Sequence, residues 1–249
     1  MRRMIGTSWK MNLTPSEAAD WFAVFVPLAA GLSDVDLFVL PSFPALSVAR
    51  DRLAGTAVAW GAQDVSPYAS GEHTGDVSAA MLADLGCRYV EVGHSERRRE
   101  HAETTGLISS KIQAVLRAGM DVILCTGEIE PAPVQAAIGQ VIADLDACLA
   151  DVPADQLGRV VVAYEPVWAI GPGRRPADPQ RVGRVHRAIA GRLGRGSDSA
   201  RSRVVYGGSV DAASAPRLLA EPGVDGLFVG RNALDPHAFA LIASAQPGR

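Results

Sequence analysis

Glu165 stands directly after Val160-Val161-Val162-Ala163-Tyr164, an apolar, β-branched run of the kind buried on both faces of a parallel sheet. Pro166-Val167-Trp168-Ala169-Ile170-Gly171-Pro172-Gly173 follows it. A loop of that composition can fold over a ligand, exclude water and leave the carboxylate beneath it as a general base. A Glu-Pro pair alone reads as a strand cap before an ordinary turn. The whole stretch from Ala163 to Gly173 points instead to a base under a lid.

Two further groups suit proton chemistry. His94 lies between the strand-like Tyr89–Val92 and the helix-like Ser95-Glu96-Arg97-Arg98-Arg99-Glu100. Amide donors at a helix N-terminus disfavour added positive charge, so this imidazole is expected to be neutral. It could then hydrogen-bond a carbonyl and shuttle a proton between adjacent oxygens. Lys10 supplies a compact cation that could attract an anionic substrate and stabilise an enolate oxygen, or form a Schiff base. Only Lys10 and Lys111 are lysines in a chain that otherwise uses Arg. Glu96 reads as a positioning residue, paired with Lys10 or with an Arg of its own run. Gly171, Gly207-Gly208-Ser209 and Gly230 offer backbone N–H groups unobstructed by side chains, which suits a phosphate.

The elements that must hold these groups alternate. Strand-like runs cover Met4–Ser8, Asp36–Leu40, Ala57–Ala62, Tyr89–Val92, Asp121–Cys125, Val160–Tyr164, Val204–Tyr206 and Gly226–Val229. Helix-like runs lie between them: Ser16–Ala30, Leu46–Leu53, Ser78–Leu85, Thr105–Ala118, Val134–Leu149, Pro179–Leu193, Ala212–Leu219 and Pro236–Ala243. In the first of these, Ala18, Ala19, Phe22, Val26 and Ala30 are expected to face inward, behind a Thr14-Pro15 start. Eight strand–helix units with no composition break predict an α/β fold, a (β/α)8 barrel forming one domain over residues 1–249. A doubly wound sheet is the alternative. Barrel sites lie at the C-terminal ends of the strands. That brings Ser8-Trp9-Lys10, His94-Ser95-Glu96, Cys125-Thr126-Gly127-Glu128, Glu165, Gly207-Gly208-Ser209 and Gly230-Arg231-Asn232 to one mouth. Cys125 reads as a packing residue beneath the site or as a support for Glu165. Arg195–Ser202 reads as a polar, solvated, mobile loop.

Composition closes off other classes. With 249 residues, 48% of them hydrophobic, there is ample material for a core, yet no apolar run is long enough to span a bilayer. A net charge of −3 argues against a nucleic-acid surface. Cys87, Cys125 and Cys148 are odd in number and far apart, so they read as reduced thiols in a cytoplasmic protein. No His and carboxylate cluster at ligand spacing, so no metal is implied.

At this point the chain resembles the triosephosphate isomerase family along nearly its whole length. The matching pieces are Trp9-Lys10-Met11-Asn12, Gly61-Ala62-Gln63, Thr74-Gly75, Gly93-His94-Ser95-Glu96-Arg97-Arg98, Gly127-Glu128, the Glu165 lid segment, Tyr206-Gly207-Gly208-Ser209-Val210, and Asp225-Gly226 running to Gly230. The resemblance implies cofactor-free aldose–ketose isomerisation of a small phosphorylated sugar, in glycolysis and gluconeogenesis. Glu165 would take the proton, neutral His94 would move protons between two oxygens, and Lys10 would stabilise the enediolate. That logic of tuned acidities and lid closure is the handed-down account of this family. The resemblance also implies a homodimer, in which the loop from Asp64 to Asp76, with Thr74 near its tip, braces the partner's strand-1 loop.

Three departures stand out. Ser8 replaces an Asn before Trp-Lys. Arg231 replaces a Gly in the phosphate loop after strand 8. The lid's far hinge reads Arg174-Arg175-Pro176. The departures fall on substrate contacts and lid mechanics: Ser8, Gly171, Ser209, Gly230 and Arg231 become the expected substrate-binding set. Gly-Thr-Ser-Trp-Lys-Met-Asn with Gly-Arg after strand 8 is also similar to a branch of the family assigned to L-erythrulose 1-phosphate. That leaves a four-carbon substrate as the alternative to the triose.

Overall fold

The computed structural model describes residues 2–171, 173–174, 176–194 and 202–247. The hinge residue Arg175 and the polar loop up to residue 201 therefore lie outside the described residues. Eight parallel strands close into a barrel: β1 (Arg3–Ser8), β2 (Val35–Leu40), β3 (Ala59–Ala62), β4 (Tyr89–Val92), β5 (Asp121–Thr126), β6 (Val160–Tyr164), β7 (Arg203–Tyr206) and β8 (Gly226–Val229). The first strand pairs with both the second and the eighth, which removes every sheet edge.

Helices α1 (Pro15–Ala29), α2 (Leu46–Leu53), α3 (Ala79–Leu85), α4 (Ser95–Glu100), α5 (Thr105–Arg117), α6 (Val134–Leu149), α7 (Pro179–Arg192), α8 (Ala215–Leu219) and α9 (Pro236–Ala243) lie between and after the strands. Most bounds agree with the sequence reading to within two residues. The eighth helix is shorter than Ala212–Leu219, because Asp211 first closes a turn by accepting the Ser214 N–H at 2.7 Å.

The inward stripe of α1 corrects the expectation. Thr14 and Glu17 form a capping box with Pro15 in the first turn. The buried positions are Ala18, Trp21, Phe22 and Phe25, while Val26 is half-buried and Ala30 exposed. The reason is an aromatic cluster: Trp21 meets Trp9 with ring centroids 4.8 Å apart, and Phe25 meets Phe239 of α9 at 5.1 Å. Burying those rings outweighs burying the smaller Val and Ala.

Side chains alternate along each strand, so apolar residues fall into two clusters. The larger lies between strands and helices. The smaller fills the barrel: Met4, Phe38, Leu40, Tyr89, Ile123, Cys125, Val161, Ala163, Val205 and Phe228. Continuing the same alternation, Glu91 follows Tyr89 and Glu165 follows Ala163. Two carboxylates thus enter the top of an otherwise apolar interior, buried to 2% and 3% exposure.

Lys111 is structural. Its ammonium is 4% exposed and lies 2.6 Å from Asp64 Oδ1 and 2.5 Å from Glu103 Oε1. Arg97 completes that network, at 2.7 Å from each of the same two carboxylates.

Candidate active site

Lys10 follows β1 with φ of 55°, a left-handed backbone that is costly for a residue with a side chain. Asn12 holds the turn: its backbone N–H and its Nδ2 both donate to the Trp9 carbonyl, at 3.2 and 2.7 Å. The ammonium reaches Glu96 Oε1 at 2.6 Å, so of the two partners the sequence left open for Glu96, Lys10 or a neighbouring Arg, the structure gives Lys10.

His94 caps α4. Its Nδ1 accepts the Glu96 N–H at 3.2 Å, which assigns the ring proton to Nε2. Burial, then the nearby Lys10, push its pKa down to about 4. The imidazole is neutral at physiological pH and carries its N–H towards Glu165: Nε2 lies 3.6 Å from Glu165 Oε1.

Glu165 is held by its backbone. Its N–H donates to the Thr126 carbonyl at 2.8 Å. Two glycines fit tightly around it. A Cβ on Gly127 would lie 2.0 Å from the Glu165 carbonyl oxygen, and one on Gly207 would lie 2.8 Å from the Glu165 Cγ. The carboxyl Oε2 is buried without a hydrogen-bond partner among the described residues. Burial, then the neighbouring Glu91, raise its pKa to about 8. A desolvated carboxylate beside a second acid is a strong base, and its ionisation is what the site makes costly.

Lys10, His94 and Glu165 line one cleft of about 450 Å³. Ser8, Gly171, Ser209, Gly230 and Arg231 line it too, with Glu96, Asn12 and Arg174. Both serines are already engaged. The Ser8 hydroxyl donates to Glu91 Oε2 at 2.7 Å, and the Ser209 hydroxyl and N–H both donate to the Ala169 carbonyl, at 2.7 and 3.2 Å. Cys125 is fully buried beneath the cleft, with its thiol 3.6 Å from Glu91 Oε1 and against Glu165 as well.

The lid is anchored at both ends. At its near end the Trp168 Nε1 and the Tyr164 hydroxyl each donate to Glu128 at 3.0 Å, and Arg181 Nη2 lies 2.8 Å from the same carboxylate. The Arg181 guanidinium also covers the Trp168 ring at 5.6 Å. At its far end the Ala177 N–H donates to the Tyr206 hydroxyl at 2.9 Å. Pro176 lines the cleft.

Sequence reasoning missed Glu91 and gave Glu128 no role. The signal for Glu91 was available: an acidic residue in the middle of Tyr-Val-Glu-Val, a strand that barrel closure must bury. The expectation that no His and carboxylate cluster held for sequence spacing alone. In space Glu91, His94 and Glu165 each bring a ligating atom within 4.8 Å of the others, and they are the described residues that could hold a cation. Their donor set is equally that of an acid–base centre.

The family model described as triosephosphate isomerase matches residues 3–246. A triosephosphate isomerase of Thermus thermophilus is 44% identical over 247 residues, covering 97% of this chain and 98% of the relative. That of Symbiobacterium thermophilum is 42% identical over 246 residues, covering 97% and 96%. A solved triosephosphate isomerase of Bartonella henselae superposes with a TM-score of 0.82 at 31% identity, covering 97% of this chain and 98% of that one. These relatives support the triose reading and not the four-carbon alternative.

Proposed function

This chain belongs to the triosephosphate isomerase family, and from that premise we infer that it interconverts dihydroxyacetone phosphate and D-glyceraldehyde 3-phosphate. Glu165 removes a proton from the carbon beside the carbonyl. His94 gives its Nε2 proton to the carbonyl oxygen and takes one from the neighbouring hydroxyl, and Glu165 then returns a proton to the adjacent carbon. Lys10 offsets the developing negative charge. Gly171, Ser209, Gly230 and Arg231 receive the phosphate, with Ser209 exchanging its bonds to Ala169 for phosphate oxygens.

The observation that supports this reading best is the single cleft shared by the three groups, with a neutral imidazole 3.6 Å from the base. A neutral imidazole matches the weak acidity of the enediol it must serve. The test is a coupled assay on both triose phosphates with the purified protein. The expected kcat/KM is above about 10⁶ M⁻¹s⁻¹. Trace turnover of a folded protein would overturn the assignment.

The working unit we infer is a homodimer. Residues 68–76, including Thr74, are all exposed in the single chain, and Met11, beside Lys10, is 98% exposed. An exposed Met beside a charged catalytic turn suits cover by a second copy. Thr74→Arg should yield monomers in sedimentation and lose most activity. Among the described residues no helix is long and apolar enough to cross a membrane. With three buried thiols, that supports work in the cytoplasm, in glycolysis and gluconeogenesis.

A further inference from the structure

Glu91 is a buried carboxylate inside the top of the barrel that the reaction above does not use. It does not line the cleft, yet it lies one layer beneath the base. We propose that Glu91 is a positioning residue: its clamped, buried carboxylate forms a pair with Glu165 and sets how strongly that base holds its proton. The proposal rests on Glu165 being the base.

Three observations carry it. First, Glu91 is fixed by donors from two other strands: the Ser8 hydroxyl on Oε2 at 2.7 Å and the Cys125 thiol near Oε1 at 3.6 Å. Donors of this kind stabilise the ionised form. Second, Glu165 is held less completely: the Cys125 thiol and the Ser95 N–H bond its carboxyl, but its buried Oε2 has no partner among the described residues. Third, the Cys125 thiol lies against both carboxyls and stays protonated, its pKa pushed well up by burial and by the two glutamates. It is a hydrogen-bonded spacer between them.

The groups facing Glu91 are Lys10 beyond β1, His94 and Glu96 beyond β4, Cys125 on β5 and Glu165 beyond β6. Lys10 favours its ionised form, while burial and Glu96 oppose it, and the balance lies near 7. Two carboxyls this close in a dry interior do not both ionise readily. Both are buried, but Glu91 holds the short Ser8 hydroxyl bond at 2.7 Å, so it gives up its proton first. Its charge then raises the pH at which Glu165 ionises, and the ionised Glu165 is the form that acts as base. A base with a higher pKa takes a carbon-bound proton faster, at the cost of activity at low pH.

The test compares pH profiles of kcat/KM for the wild type, Glu91→Gln and Glu91→Asp. Gln keeps the size and an acceptor for Ser8 but removes the charge. Its acid limb should move down by about one pH unit, with a plateau kcat lower by about threefold. Asp keeps the charge, and its limb should stay near that of the wild type. A Gln limb unmoved, or moved upward, overturns the proposal. A second measurement needs neither variant nor activity: carboxyl carbon NMR of the wild-type protein labelled at glutamate. Two buried glutamates should titrate in linked steps above pH 6. If both titrate in the ordinary carboxylate range, the pair does not exist. If they titrate as expected in a protein without isomerase activity, the reading of the base fails and the pair stands.

Discussion

Shortening the base by one methylene isolates position from chemistry. In Glu165→Asp the carboxylate would withdraw by about one C–C bond, roughly 1.5 Å. The backbone cannot advance to compensate. It is pinned by the Thr126 carbonyl at 2.8 Å, and Gly127 is packed so tightly against the Glu165 carbonyl that even a Cβ there would lie 2.0 Å away. A misplacement of about 1 Å at a reacting centre costs about 10²-fold, so 1.5 Å should cost at least that, or about 2.7 kcal/mol in the barrier. Substrate binding depends on other groups, so kcat should fall while KM stays within about threefold. Stability should change by only about 1 kcal/mol, because a single buried methylene is lost. The assay is steady-state kinetics in both directions beside thermal unfolding. A variant within fivefold of the wild-type kcat, with an unchanged melting profile, would refute the placement of Glu165 as base.

Other consequences follow from the same geometry. Removing the Nε2 proton donor in His94→Ala should lower kcat by about 10²–10⁴-fold, and unchanged kinetics would remove His94 from the mechanism. Glu165 has a folded pKa raised to about 8 from an ordinary 4.5, so its stabilising effect is full below about pH 4.5 and is lost as pH rises through 8. Glu165→Gln should therefore match the wild type near pH 4.5 and become more stable than it by roughly 1–4 kcal/mol at pH 8, read by denaturant unfolding at both pH values. Gly207→Ala sets a methyl 2.8 Å from the Glu165 Cγ and should lower kcat at least about tenfold with an intact fold; full activity would show that the base is not held against that turn. Glu128→Ala leaves Arg181, Trp168 and Tyr164 without their shared acceptor and should cost about 3–5 kcal/mol in thermal unfolding, with a slower lid seen as a lower kcat/KM.

The Arg231 in the phosphate loop and the Ser8 before Trp9 bear differently on the substrate. Arg231 lines the cleft, and under the proposed function its guanidinium would meet the phosphate. Ser8 lines it too, but its hydroxyl is committed to Glu91. Its small side chain and Glu91 are therefore one feature: a short donor over a buried acid.

What the linear sequence determined was everything periodic or local. Eight apolar runs alternating with amphipathic ones call for a parallel sheet covered by helices, and their number and evenness favour closing it into a barrel. Residues that follow such strands must then meet at one rim, which is why Lys10, His94 and Glu165 were legible together. The capping chemistry around His94 was local as well: an imidazole at the start of a helix accepts an N–H and loses its reason to be charged. What only the tertiary structure decided was pairing across the barrel. Glu91 is one letter in an apolar strand until closure turns it inward beside Ser8, Cys125 and Glu165, from strands 83, 34 and 74 positions away. Glu128 is one letter after a glycine until the chain brings Trp168 and Arg181 to it across 40 and 53 positions. The inward face of α1 was decided by aromatic rings on Trp9 and Phe239, which its own periodicity does not contain. Hydrophobic patterning fixes which backbone segments are buried. The electrostatics of the site depends on which buried groups face each other at a few ångströms, and that is set by closure and register.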